Sequence, residues 1–145
     1  MGFDVKNYAA DEVVIAFGAI PVNSGYADGD FVSIEYDEDA FSLQIGTDGE
    51  AARSRTNNRA ATITISLMQT SDANDLLSAQ YNLDVNSAGG AGIVPLLITD
   101  TSGRSLFTAE KAWIQKLPDV TYSREAGPRE WVIRTNNLVA LVGGN

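Results

Sequence analysis

The sequence predicts a mainly β protein, an antiparallel β-sandwich or half-open barrel with one flanking α-helix at about residues 71–84. Three observations lead there. Residues Ala60 to Thr70 alternate strictly, with Ile63, Ile65 and Leu67 on one face and Thr62, Thr64, Ser66 and Met68 on the other. The remaining apolar runs are short, rich in β-branched residues and bounded by Gly, Pro, Asn and Asp, the punctuation of strands and turns. At Ser71 a capping residue leads into apolar residues at helical spacing. With 145 residues the chain suits one domain, 1–145, and is too short to expect two.

Met1 to Asp11 is a polar lead carrying Phe3, Val5 and Tyr8. Glu12 to Val22 reads as a first strand, with Gly18 marking a bulge or bend. Pro21 places the end of that strand at a sheet edge, because proline cannot donate to a ladder. Asn23 to Asp30 is a turn whose clearest signal is Asp28-Gly29. Phe31 to Asp37 alternates again, with Val32, Ile34 and Tyr36 on one face and Ser33, Glu35 and Asp37 on the other. Phe41 to Ile45 is a short strand with Phe41, Leu43 and Ile45 on one face. Gly46 to Asn58 is a long polar connection; Asp48-Gly49 offers a tight turn, and Glu50 to Arg55 can extend a hairpin.

Ser71 is the expected N-cap, with Asp72 stabilised at the positive helix end. Ala73, Leu76, Leu77 and Gln80/Tyr81 form one narrow apolar stripe, expected to pack on a sheet, and the helix should fade near Asp84. The glycine-rich loop from Asn86 to Gly92 lacks the Lys and Ser/Thr of a phosphate-binding loop. Ile93 to Thr99 is a strand, and Pro95 suggests that it too lies at an edge. Ser105 to Leu117 tolerates helix by composition, but its hairpin context favours strand. Asp119 to Glu125 is polar strand or loop. Arg129 to Val142 is a last long strand with a break expected at Asn136-Asn137.

The composition excludes several kinds of chemistry. Cysteine and histidine are both absent, which removes disulfides, thiol and imidazole metal sites, and Ser–His or Cys–His catalysis. No run of roughly 18 apolar residues is present for a membrane helix, and M-G-F-D-V-K-N-Y lacks the basic-then-apolar pattern of a secretory signal. Net charge is −9, the wrong sign for gripping nucleic acid, whose affinity rests on cations displacing counterions. That charge suits either a surface past which DNA moves without sticking or simple solubility.

Two charged groups stand out. Asp37, Glu38 and Asp39 crowd three carboxylates, but their spacing does not match a calcium loop, and adjacent acids are usually just solvated. As hydrolytic pairs, Glu35/Asp37 or Glu38/Asp39 are local neighbours on a strand and turn, whereas paired carboxylates must stand roughly 5–10 Å apart across a cleft. Arg53, Arg55 and Arg59 read either as solvated loop charge or as an inter-subunit contact, for which the guanidinium fork is well suited. They meet the acidic group only if the two segments come together. Trp113, Trp131, Tyr26 and Tyr122 would be the stacking platforms of a monomeric carbohydrate-binding or adhesin sandwich, although both tryptophans lie in apolar runs that suit a core.

Between Phe31 and Leu77 the sequence resembles the tail tube proteins of contractile-tailed bacteriophages. The resemblance rests on S-I-x-Y-x-E-D-A-F at Ser33 to Phe41, G-T-D-G-E at Gly46 to Glu50, R-S-R-T-N-N-R at Arg53 to Arg59 and Q-T-S-D-A-N-D-L-L at Gln69 to Leu77. It continues more weakly to the C-terminal strand. It implies a non-enzymatic virion protein, without cofactor, assembled in the host bacterial cytoplasm. Such subunits form hexameric rings that stack into a tube, their inner sheets joined into one β-barrel around the channel for genomic DNA. The implied partners are other copies of itself, a sheath, and baseplate and tail terminator proteins. On this resemblance, Glu35, Asp37, Thr62, Thr64 and Ser66 are candidates for the channel wall. Asp48, Glu50, Arg53, Arg55, Asn57, Asn58 and Arg59 are candidates for subunit or ring contacts. Tubes of bacteriocin particles and of injection or secretion systems share this architecture, so the same fold could serve a different machine.

Overall fold

The computed structural model of the chain describes residues 5–22 and 25–144. Met1 to Asp4, with Phe3, and Asn23 and Ser24 of the expected turn lie outside the described residues. After a 3-10 turn at Ala10–Glu12 come β1 (Val13–Phe17), β2 (Ile20–Val22), β3 (Val32–Tyr36), β4 (Phe41–Ile45), β5 (Ala51–Arg55) and β6 (Ala61–Met68). Then follow α1 (Ala73–Val85), β7 (Val94–Asp100), β8 (Leu106–Lys116), β9 (Pro128–Thr135) and β10 (Leu138–Leu141). Eight strands form one sheet in the order β2-β1-β7-β8-β9-β6-β3, with β10 also on β8, while β4 and β5 pair only with each other. Every named pairing is antiparallel.

The first apolar run is two strands rather than one. Phe17 pairs with Ile20 across Gly18-Ala19. Gly18 takes φ +60°, the geometry of a II′ hairpin turn, and a Cβ there would lie 2.9 Å from the Val94 Cβ. Pro21 lies on the edge strand β2, as its missing N–H requires. The edge expected from Pro95 is not found, because β7 is interior, between β1 and β8. Proline is accommodated there because it falls at the irregularity between Val94 and Leu96, where the ladder to β8 skips. Its carbonyl accepts the Gly18 N–H at 2.7 Å.

β8 settles the ambiguous stretch as strand, and its register explains the ambiguity. Val94 pairs with Ala112 and Leu96 with Ala109, so β8 carries one extra residue there. Its inward side chains are consequently Ala109 and then Ala112 and Ile114, with Glu110 and Lys111 both exposed. A bulge shifts the phase of the alternation, which no fixed period can capture. The expected break at Asn136-Asn137 separates β9 from β10. Both pair with β8, Thr135 opposite Ala112 and Leu138 opposite Ala109.

Curling the sheet encloses one core. Ile15 and Phe17 of β1, Ile63, Ile65 and Leu67 of β6, Leu96 and Ile98 of β7, and Trp131 and Ile133 of β9 are all buried. Tyrosine hydroxyls tie distant parts together: Tyr36 donates to the Leu138 carbonyl at 2.6 Å, and Tyr26 faces the carbonyls of Val22 and Val13 at 2.7 and 2.9 Å. Helix α1 covers the core beside β2 and β8. The Ser71 hydroxyl accepts the Ala73 N–H at 3.3 Å, but the N-cap is Asp72, one residue later than expected and without a side-chain cap bond, and the regular helix runs from Ala73 to Val85. The buried stripe is narrower than expected: Ala73 and Leu77 are buried and Tyr81 packs on the core, but Leu76 is 48% exposed.

Candidate functional site

Strands β3, β6, β9 and the C-terminal part of β8 present a four-stranded face whose outer members, β3 and β8 beyond Ala112, have a partner on one side only among the described residues. β3 pairs with β6, β6 with β9, and β9 with Ala112–Lys116 of β8. The β7–β8 ladder stops at Ala112, so beyond it β8 has no strand on its other side. β3 is likewise the end of the sheet. The two open edges are of similar length.

The outward face can be read across the registers. Glu35 lies opposite Thr62, Thr62 opposite Arg134 and Arg134 opposite Trp113. Ser33 lies opposite Thr64, and Thr64 opposite Val132. Glu35, Thr62 and Thr64 therefore share one face. Asp37 joins them from just beyond β3: its carboxylate accepts the Thr62 hydroxyl at 3.0 Å and pairs with Arg134. Ser66 continues the row opposite Glu130 but is only 8% exposed, since the incoming chain covers it through Ala27 and Phe31. Sequence reasoning missed Glu130, Val132 and Arg134 as members of this face. Their alternation with Trp131 and Ile133 is visible in the sequence, but the strands they lie beside are not.

β4 and β5 prolong the β3–β6 pair past the end of the sheet. The Asp37 N–H bonds the Ala60 carbonyl at 3.0 Å and the Thr56 N–H bonds the Ala40 carbonyl at 2.9 Å, after which Phe41 pairs with Arg55. The tip turns at Thr47-Asp48-Gly49 with φ +88° at Gly49, and the Asp48 carboxylate accepts the Glu50 N–H at 3.1 Å. Phe41, Leu43 and Ile45 are 46%, 66% and 65% exposed, on the same face as Arg53 and Arg55. A lone two-stranded ribbon is marginal in water, so an apolar strip on one is a surface without its partner.

The arginines do not meet the acidic group within the chain. The Arg53 guanidinium stacks 3.7 Å above the Phe41 ring, and Arg59 donates to the Thr56 carbonyl at 3.3 Å. Asn58 accepts the Ala60 N–H at 3.0 Å, while Arg55 and Asn57 are exposed. The carboxylates do not converge either: Asp37 turns to Arg134, and Glu38 accepts the Thr56 hydroxyl at 3.3 Å. Among the described residues no three acids gather as a metal site would require. Of the expected stacking platforms, Trp131 is 1% exposed with its indole N–H on Asn74 at 2.9 Å. Tyr26 is half-buried, and burial pushes its phenol pKa up. Among the described residues no helix is long and apolar enough to cross a membrane.

The open sheet edges and the exposed apolar ribbon are strand and side-chain surfaces that a single copy leaves uncovered. The chain matches the family described as "Bacteriophage PhiTE tail tube protein" over residues 8–143. It is 34% identical to "Structural protein ORF10" of Pseudomonas phage KPP10, across 97% of this chain and 84% of that one. Among solved structures it superposes on a chain of the extracellular contractile injection system PVC sheath-tube complex with a TM-score of 0.60 at 14% identity, covering 93% of this chain and 91% of that chain. A chain of the anti-feeding prophage tube-terminating cap gives a TM-score of 0.59 at 12% identity, with 93% and 91% covered. The protein belongs to the phage tail tube family.

Proposed function

We propose that this protein is the subunit of a virion's inner tail tube, built from stacked hexameric rings of the single domain. The observation that carries the reading is the four-stranded face with open edges at β3 and at β8 beyond Ala112. β3 and β9 run one way, β6 and β8 the other. Rotating a copy about an axis along the strands therefore brings β8 antiparallel to β3 of the next subunit, which continues the ladder and removes both edges. Closed on itself, the sheet turns Glu35, Asp37, Thr62 and Thr64 toward the channel, with Ser66 in the same row but buried within the subunit. Hydroxyls, acids and a guanidinium already held by Asp37 make a wall that repels or ignores DNA phosphates rather than holding them.

The β4–β5 ribbon and the 56–59 segment then meet the next subunit or ring through Asp48, Glu50, Arg53, Arg55, Asn57, Asn58 and Arg59. A sheath outside, terminator and baseplate at the ends, passage of the genome, assembly in the host cytoplasm and the lack of a catalytic role complete the reading. The kinship with a phage structural protein at 34% identity favours a virion over a bacteriocin-like or injection particle. Negative-stain electron microscopy and mass photometry of the purified protein test the proposal. Hollow rings or tubes with sixfold symmetry are expected; particles that stay monomeric at high concentration refute it.

A further inference from the structure

Arg129 is a nearly buried cation, 8% exposed, and it pairs with no carboxylate among the described residues. Its guanidinium donates to the Pro128 carbonyl at 3.3 Å and lies 5.7 Å from the Tyr122 ring, which leaves most of its five N–H donors without an acceptor among those residues. With Trp131 it lies on the inward side of β9, away from Glu130 and Val132, and both border a cleft of ≈ 380 Å³ between α1 and the 117–122 segment. The floor is fixed by the Trp131 indole N–H, which donates to Asn74 at 2.9 Å. The rim is apolar and open, with Leu117 38%, Val120 56% and Tyr122 80% exposed. A desolvated cation without a counter-charge is costly, so the cleft is complementary to a segment that carries a carboxylate among apolar side chains.

The start of the chain has that composition. Phe3, Asp4 and Val5 are consecutive, and Val5 and Tyr8 are 92% and 59% exposed, so a single copy leaves this lead largely uncovered. It also starts from the right place. Tyr8 shares a hollow beside β3 with Phe31, Val32 and Ile34. Val32 lies opposite Ile65, and Ile65 opposite Trp131, so the lead and the cleft are on the same side of the sheet and toward the same end, the end away from the ribbon.

Within one copy, β6 and β9 stand between β3 and β8. At the seam between two copies, β3 of one lies beside β8 of the next, with Val32 and Lys116 toward the same end. Lys116 runs directly into the 117–122 segment that forms the rim. Paired strands stand only about 4.8 Å apart. The five residue steps from Tyr8 back to Phe3 reach up to about 17 Å when extended, enough to cross that seam.

We propose that the cleft between α1 and the 117–122 segment receives residues 3–5 of the adjacent copy in the ring, with Arg129 taking the Asp4 carboxylate and the rim covering Phe3 and Val5. This inference rests on the tube reading and adds to it an exchanged arm that latches each seam, separate from the strand edges and from the ribbon. Each copy gives an arm on one side and receives one on the other, so the contact is heterologous and closes with the ring.

The test is a double-mutant cycle on assembly, read by sedimentation and electron microscopy, with thermal unfolding of each variant as the control for folding. Arg129→Gln and Asp4→Asn should each raise the critical concentration at least about tenfold, as loss of a charged hydrogen bond does. Combined, they should cost no more than either alone. Asp4→Asn keeps the test decisive if Arg129→Gln folds poorly. As the protein has no cysteine, a Gly2→Cys/Val120→Cys variant can be treated with a short bis-maleimide. Assembled protein should give covalent oligomers that stop at the number of subunits in one ring, and dilute monomer should give none.

Independent effects in the cycle, unchanged assembly in Asp4→Asn, or assembled protein that does not cross-link would overturn the inference while leaving the tube reading intact. So would a cross-link formed within the dilute monomer, which would seat the arm on its own copy, or oligomers that run past the ring number. Wild-type protein that forms neither rings nor tubes would refute both readings.

Discussion

The exposed ribbon permits a sharp separation of folding from assembly. Leu43 and Ile45 are 66% and 65% exposed and touch no core, so replacing both with aspartate removes nothing that holds the subunit together. Surface changes of this kind stay within about 0.5 kcal/mol, equivalent to about 2 °C or less in Tm for a chain of this size. Burying an aliphatic side chain completely contributes about 1.5–3 kcal/mol, and about two-thirds of that is still unrealised at each position in the free subunit. Covering the pair therefore stabilises a contact by about 2–4 kcal/mol, or roughly 30- to 1,000-fold in affinity. Burying the new carboxylates would add to the loss. Leu43→Asp/Ile45→Asp should melt like the wild type by circular dichroism while its critical concentration for assembly rises at least 30-fold by that estimate. A variant melting many degrees lower would make the ribbon part of the folded core, and unchanged assembly would remove it from the contact; either result refutes the reasoning.

Three further outcomes follow from the fold. Leu77→Ala empties a fully buried position under α1 and should cost about 2–5 kcal/mol in denaturant unfolding; a loss below 1 kcal/mol would mean that the helix is not seated on the core. Gly18→Ala combines a φ of +60° with a Cβ 2.9 Å from Val94, and should cost about 1–3 kcal/mol in the same assay. Tyr26 has its phenol pKa raised by burial. Its contribution is therefore complete below its unfolded value of about 10 and is lost as pH rises through the folded value. The stability gap between wild type and Tyr26→Phe should accordingly shrink from pH 8 to pH 11, and a gap independent of pH would count against that placement.

Local signals carried much of this protein. The alternation of Ile63, Ile65 and Leu67 against Thr62 and Thr64 placed β6 correctly, and Ser71 announced the helix, lying one residue before its N-cap Asp72. Asn136-Asn137 marked the break between β9 and β10. Legibility failed where the period itself was interrupted. The bulge at Glu110-Lys111 shifted the phase of β8, and the Gly18 turn split one apolar run into two strands. Pro95 misled because a register irregularity accommodates a residue that a regular interior ladder would reject. Among the candidate residues, the hydroxyl row of Thr62 and Thr64 could be anticipated from strand parity. The partner of Asp37 could not, since Arg134 is 97 residues away.

The sequence by itself therefore determined which side chains share a face, where the chain turns and that no histidine or cysteine chemistry is available. Parity, turn residues and composition are properties of neighbours along the chain. Only the tertiary structure decided which strands lie side by side, that one side of β3 and of the end of β8 is left open, and that the ribbon projects past the end of the sheet. An edge is defined by the absence of a strand beside it, and an end by where the ladders stop. Both depend on pairings between segments far apart in sequence, which no local pattern encodes.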